Sequence, residues 1–219
     1  MLLQIANVLD RPAIDAIRET LADEAHWADG AATAKGRARA AKNNLQAAET
    51  PQTRGVLETI RKAVWSNDLV RSAAQPAKFA RVMINRYGEG MRYGDHVDAP
   101  YIDGVRTDVS FTLFLADPAE YDGGELVIDA AGAEDRIKLP AGSLVLYPAT
   151  SIHRVETVTR GARICAVGWI KSRIRSAEQR AMLFEIERLN ADLAAINAPG
   201  ALRDRAANLK NNLLRAFGE

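Results

Sequence analysis

The sequence predicts a mainly β protein with flanking helices: a jelly-roll or cupin-like double sheet, with covering helices before it and a helical pair after it. Three observations carry this. Between Phe79 and Ile170, apolar residues alternate with a period of two in short runs broken by turn signals. Before and after that stretch the apolar period is helical. With 219 residues, 47% of them hydrophobic, the chain fits one domain with a sizeable core.

The first ten residues, ending in Val8-Leu9-Asp10, lack the basic start and small-residue cleavage site of a signal peptide. Asp10 is placed to cap a helix with Pro12 in its first turn and Ile14, Ile17 and Leu21 on one face. His26 and Trp27 follow near its end. Residues 30–44, rich in Ala and Gly and carrying Lys35, Arg37, Arg39 and Lys42, read as a basic loop and a candidate substrate contact. Thr50-Pro51 starts a second helix with Val56, Leu57, Ile60 and Val64 as its apolar face. After a break at Ser66 to Asp68, a short helical turn runs to Pro76.

Strands are expected near 79–87, 94–98, 105–115, 124–129, 134–139, 143–148, 153–158 and 162–170, with turns at Asp122-Gly123-Gly124, Ala131-Gly132, Pro140-Ala141-Gly142 and Arg160-Gly161. Eight short strands in such a span suit a jelly roll. In the 105–115 strand, Val105, Val109, Phe111, Leu113 and Leu115 share a wholly apolar face that packs beneath the helices. Arg106, Asp108, Ser110, Thr112 and Phe114 then face the barrel interior, which makes Thr112 a candidate pocket residue. Beyond Ile170, Met182, Ile186, Leu189, Leu193 and Ile196 form one helical stripe and Leu202, Leu209, Leu213 and Phe217 another, separated by Pro199-Gly200. Residues 1–175 are thus the expected barrel domain and 176–219 a helical appendage, with a homodimer through those helices a candidate assembly.

A formal charge of +1 argues against a broad nucleic-acid surface, and no apolar run reaches the roughly 20 residues of a membrane helix. The lone Cys165, in an apolar strand, reads as a packing residue. A chain with no internal disulfide points to a cytoplasmic protein.

The stretch Tyr87 to Asp98 ends in a His-x-Asp pair, His96 and Asp98, whose side chains project from one face of an extended segment. His153 follows 55 residues later and completes a two-histidine, one-carboxylate facial triad, which leaves positions open and suits non-haem Fe(II). The segment His153 to Arg163 reads as a hairpin turning at Thr159 to Gly161. With a three-residue loop, Arg163 shares the face of His153 and can hold a carboxylate by its rigid fork.

Ordered motifs then resemble a known family, the 2-oxoglutarate- and Fe(II)-dependent dioxygenases, and within them the bacterial PKHD-type hydroxylases related to prolyl and lysyl hydroxylases. They are Asn85-Arg86-Tyr87, Tyr93-Gly94-Asp95-His96-Val97-Asp98, Tyr121-Asp122-Gly123-Gly124-Glu125-Leu126, Tyr147-Pro148, His153-Arg154-Val155 and Arg160-Gly161-Ala162-Arg163. The resemblance implies a double-stranded β-helix with His96, Asp98 and His153 as Fe(II) ligands and Arg163 as partner of the distal carboxylate of 2-oxoglutarate. It implies pocket roles beside that cosubstrate for Tyr87 and Trp169, use of O2, and ascorbate as a reductant. Hydroxylation of a small molecule or protein side chain would accompany conversion of 2-oxoglutarate to succinate and CO2. Where related prolyl hydroxylases carry a cosubstrate-binding tyrosine, this chain has Phe114, so Thr112 or Tyr87 would have to help Arg163. Two other readings stay open: a cupin-type Zn(II) hydrolase or isomerase, and a non-catalytic barrel that serves as an interaction module.

Overall fold

The computed structural model describes residues 1–30, 41–129 and 132–219. Helix α1 (Arg11–Leu21) is capped by Asp10, whose carboxylate accepts the Ala13 N–H at 2.9 Å. Helix α2 (Pro51–Ser66) starts at Thr50, which forms a reciprocal capping box with Thr53. Asn67 ends α2 and caps α3 (Asp68–Ala74).

The strands are β1 (Leu3–Ile5), β2 (Trp27–Asp29), β3 (Lys42–Asn43), β4 (Leu45–Ala47), β5 (Pro76–Tyr87), β6 (Arg92–His96), β7 (Tyr101–Ile102) and β8 (Val105–Arg106). They continue as β9 (Val109–Phe114), β10 (Tyr121–Gly123), β11 (Leu126–Asp129), β12 (Glu134–Ile137), β13 (Leu144–Pro148), β14 (His153–Val155), β15 (Val158–Gly161) and β16 (Arg163–Ser172). A seven-stranded sheet has the order β1-β13-β9-β16-β5-β4-β2 and a five-stranded sheet the order β12-β11-β14-β6-β3. Every pairing among the described residues is antiparallel, and β10–β15 and β7–β8 form two small ribbons. This is the double-stranded β-helix.

The alternation along β9 sorts its two faces as expected. Phe111 and Leu113 join Ile14, Ile17, Ile60 and Val64 in a core between the helices and the outer face of the large sheet. Phe114, Val145 and Tyr147 meet Leu126, Ile128 and Ile137 between the sheets. The expected 105–115 strand is two elements, because at Thr107 and Asp108 the chain turns away to bond Pro100 and Ile170.

Other expectations change. The hairpin from His153 to Arg163 does not form: β14 pairs with β11 and β6 in the small sheet, while β16 pairs with β5 and β9 in the large one. Between them β15 pairs with β10, and Gly161 at φ 73° carries the crossing, where a Cβ would lie 2.1 Å from the Glu120 carbonyl oxygen. His153 and Arg163 therefore approach one cavity from opposing sheets.

Helices α4 (Ala177–Ala195) and α5 (Gly200–Phe217) pack together, but on a shifted face. Leu183, Phe184 and Ile186 are buried, whereas Met182, Leu189, Ile196, Leu202 and Leu209 are exposed. The helices meet near Ala206, and Phe184 reaches the main core while Leu183 and Ile186 pack with Ile174, Leu213 and Phe217. The short strands β1–β4, of two or three residues each, had no period to announce them.

Candidate metal centre

The two sheets enclose a cavity of about 360 Å³ lined by His96, Asp98 and His153 together with Tyr87, Thr112, Tyr147, Arg163 and Trp169. His96 closes β6 and Asp98 lies just past its end. His153 opens β14 and sits opposite His96 in the β-ladder. One ligand atom from each of the three lies within 4.8 Å of the others. His153 Nε2 is 3.8 Å from Asp98 Oδ1, and the two imidazole centroids are 4.2 Å apart.

The surroundings aim these groups. His96 Nδ1 donates to the Gly94 carbonyl at 2.8 Å and His153 Nδ1 to the Ser151 carbonyl at 3.1 Å, which leaves both Nε2 lone pairs for an ion. Ser110 Oγ donates to Asp98 Oδ2 at 2.5 Å. Burial, then the neighbouring His153, pulls the His96 pKa down to about 4, which keeps its imidazole neutral. Tyr93 stacks on His96 at 3.6 Å between centroids and Tyr147 meets His153 edge-on at 5.1 Å. Two imidazoles and one carboxylate converging on a point, with a cavity in front, fit Fe(II) with open positions.

Arg163 is 1% exposed. Its Nη1 donates to Cys165 Sγ at 2.8 Å, while Nε and Nη2 have no hydrogen-bond partner among the described residues. Its guanidinium carbon lies 5.3 Å from the Tyr87 ring centroid and 5.4 Å from that of Phe114. Gly124, at φ 67°, makes room for it: a Cβ there would come within 3.2 Å of Arg163 Cδ. Tyr87 stands directly across the ladder from Arg163.

Phe114 thus supplies a ring face to Arg163, and a buried hydroxyl comes from another strand. Tyr147 on β13 projects beside Ser110, with Thr112 at its hydroxyl; burial, then Asp98, drives its pKa well above the ordinary value. Tyr147, Ser110, Tyr93 and Asn85 were given no site role by sequence reasoning, although Asn85, Tyr93 and Tyr147 fall in the family motifs and Ser110 shares the inward face already assigned to Thr112. Asn85 is 3% exposed and lines the cavity with its Oδ1 unpartnered among the described residues.

Met91 packs with the Tyr87 and Tyr121 cluster and is not among the described residues that line the cavity. Lys42, on β3 across from Tyr93, does line it. Lys35, Arg37 and Arg39 lie outside the described residues. His26 is distant from the triad in the fold, near the Thr50 cap.

A double-stranded β-helix holding such a triad defines a 2-oxoglutarate/Fe(II) oxygenase, and a family model described as the 2OG-Fe(II) oxygenase superfamily matches residues 82–171. The chain is 42% identical to a PKHD-type hydroxylase of Picosynechococcus over 220 residues and 44% identical to one of Paraburkholderia phytofirmans over 227, covering all of each chain. It belongs to the PKHD-type hydroxylase family, as an Fe(II)- and 2-oxoglutarate-dependent hydroxylase. Among solved structures, a prolyl-4-hydroxylase of Pseudomonas putida shares the fold, with a TM-score of 0.55 and 20% identity over 78% of this chain and 92% of that one.

Proposed function

We propose that His96, Asp98 and His153 hold the Fe(II), that Arg163 anchors the distal carboxylate of 2-oxoglutarate, and that an apolar substrate enters over Trp169. The observation that carries this is Arg163: a buried guanidinium with two nitrogens unpartnered among the described residues. An uncompensated buried charge costs several kcal/mol, so the site is built to receive an anion. Iron, with 2-oxoglutarate and O2, supplies the oxidative decarboxylation to succinate and CO2 that is coupled to oxygen insertion into a C–H bond. The chain's own residues do the positioning. Tyr87 flanks the guanidinium, Thr112 and Tyr147 provide hydroxyls between it and Asp98, and Ser110 holds the metal carboxylate.

For Trp169, expected as a pocket residue beside the cosubstrate, we propose a place on the substrate side. It lies on the same face of β16 six residues from Arg163, roughly 20 Å along the strand, and opposite Ser110. Its Nε1 is buried with no partner among the described residues. The lining there includes Val97, Tyr101 and Ile102, and the nearby Arg81 is already clamped to Asp103. These features favour a substrate that is apolar at the reacting end and carries a hydrogen-bond acceptor for the indole.

Release of succinate that requires both added Fe(II) and 2-oxoglutarate, and disappears in His96→Ala, tests the reading. Full activity with zinc and no 2-oxoglutarate would sink it in favour of a hydrolase, which gives Arg163 no task. We further propose ascorbate as the reductant that keeps the iron ferrous, and a cytoplasmic location, which the single buried thiol of Cys165 favours. No helix among the described residues is long and apolar enough to cross a membrane. The exposed Met182, Leu189 and Ile196 support pairing of two copies through the C-terminal helices, residues 176–219.

A further inference from the structure

The two unpartnered nitrogens of Arg163, Nε and Nη2, form one edge of the guanidinium, with parallel N–H bonds. This chain uses the same edge on carboxylates elsewhere. Arg81 grips Asp103 with Nε at 3.0 Å and Nη2 at 2.5 Å, and Arg160 grips Asp122 with Nε at 2.7 Å and Nη2 at 3.1 Å. In Arg163 that edge makes no such grip among the described residues, with the buried Tyr121 hydroxyl beside the guanidinium, and the third nitrogen, Nη1, donates to Cys165 Sγ.

We propose that Cys165 is a positioning residue for the cosubstrate: by accepting the Nη1–H, its sulfur fixes the roll of the Arg163 guanidinium so that the Nε/Nη2 edge faces the cavity. This rests on Arg163 as the seat of the distal carboxylate. The two side chains project from one face of β16, two residues apart. Gly124 leaves room beside the arginine Cδ, the rings of Tyr87 and Phe114 flank the guanidinium carbon, and the bond to Cys165 Sγ is the hydrogen bond that the planar head makes among the described residues. Sulfur suits the task because it accepts without neutralising. Burial pushes the Cys165 thiol up, against the pull of Arg163, so it stays uncharged and the positive charge is left for the ligand. An aspartate in its place would occupy the arginine itself.

Two substitutions separate positioning from packing. Cys165→Ser keeps an acceptor at the same γ position of the side chain; Cys165→Ala removes it. The readouts are calorimetric titration of 2-oxoglutarate into the full chain loaded with Mn(II), Mn(II) affinity measured separately, and thermal melting. Cys165→Ala is expected to weaken 2-oxoglutarate binding about tenfold, the scale of one hydrogen bond to a charged group, with Mn(II) affinity unchanged. Cys165→Ser should restore most of that loss. Wild-type 2-oxoglutarate affinity in Cys165→Ala, or equal losses in both variants, would overturn the inference. If the unmodified protein fails to bind 2-oxoglutarate, the Arg163 reading falls and this inference with it.

Discussion

Ser110 Oγ donates to Asp98 Oδ2 at 2.5 Å, which turns the other oxygen, Oδ1, toward His153 Nε2. Ser110 sits on β9 in the large sheet, whereas both metal histidines lie on the small one, so this bond ties the triad across the sandwich. Losing a group that orients a metal ligand costs roughly 10- to 100-fold in metal affinity. Ser110→Ala should weaken Mn(II) or Fe(II) binding by about that much, with little change in melting temperature. A metal titration followed by a melt checks both.

Arg163→Met separates function from stability. With no anion bound, the buried charge is uncompensated among the described residues, so replacing it by an apolar side chain of similar length should stabilise the cosubstrate-free protein by about 1–4 kcal/mol. The same change should abolish 2-oxoglutarate binding while metal binding persists. Urea unfolding and calorimetry together decide it; a destabilised variant would mean that Cys165 and the rings of Tyr87 and Phe114 already compensate the charge.

Tyr147→Phe deletes the hydroxyl beside Thr112 and keeps the ring against His153. The expected result is a KM for 2-oxoglutarate raised about five- to tenfold, one lost hydrogen bond, with metal affinity near wild type. An unchanged KM would leave Arg163 without help from this strand.

Trp169→Phe keeps the aromatic wall and removes Nε1–H. On the substrate-side reading, turnover of 2-oxoglutarate without primary substrate is unaffected, while kcat/KM for the substrate falls about tenfold. Loss of the uncoupled turnover instead would return Trp169 to the cosubstrate.

What the sequence made legible follows from period and spacing. The alternation in Val109 to Phe114 separated core from cavity correctly, and the helix starts at Asp10 and Thr50 fall where polar residues precede apolar helical runs. His96, Asp98 and His153 were legible as a set because few chemistries use that trio. The path from His153 to Arg163 was not, since Arg160-Gly161 looks the same in a hairpin as in a crossing between sheets. Only contact with Glu120, 41 positions earlier, distinguishes them. Tyr147 falls in a family motif, but its place at the site was not legible for a similar reason: its neighbours Ser110 and Thr112 are joined to it by sheet pairing, not by sequence distance. The C-terminal stripes were legible in part: Ile186, Leu213 and Phe217 pack inward, whereas Met182, Leu189, Ile196, Leu202 and Leu209 are exposed and Leu183 and Phe184 take the buried side.

Each metal histidine is steered by the carbonyl two residues before it, Gly94 for His96 and Ser151 for His153. The aim of each ring is therefore a property of a three-residue segment, already set before an ion arrives. The slow event in loading should then be the shedding of water by the incoming cation. Stopped-flow uptake rates would rank Mn(II), Fe(II), Co(II) and Ni(II) by how readily each exchanges its own hydration shell, with no protein-limited plateau shared among them.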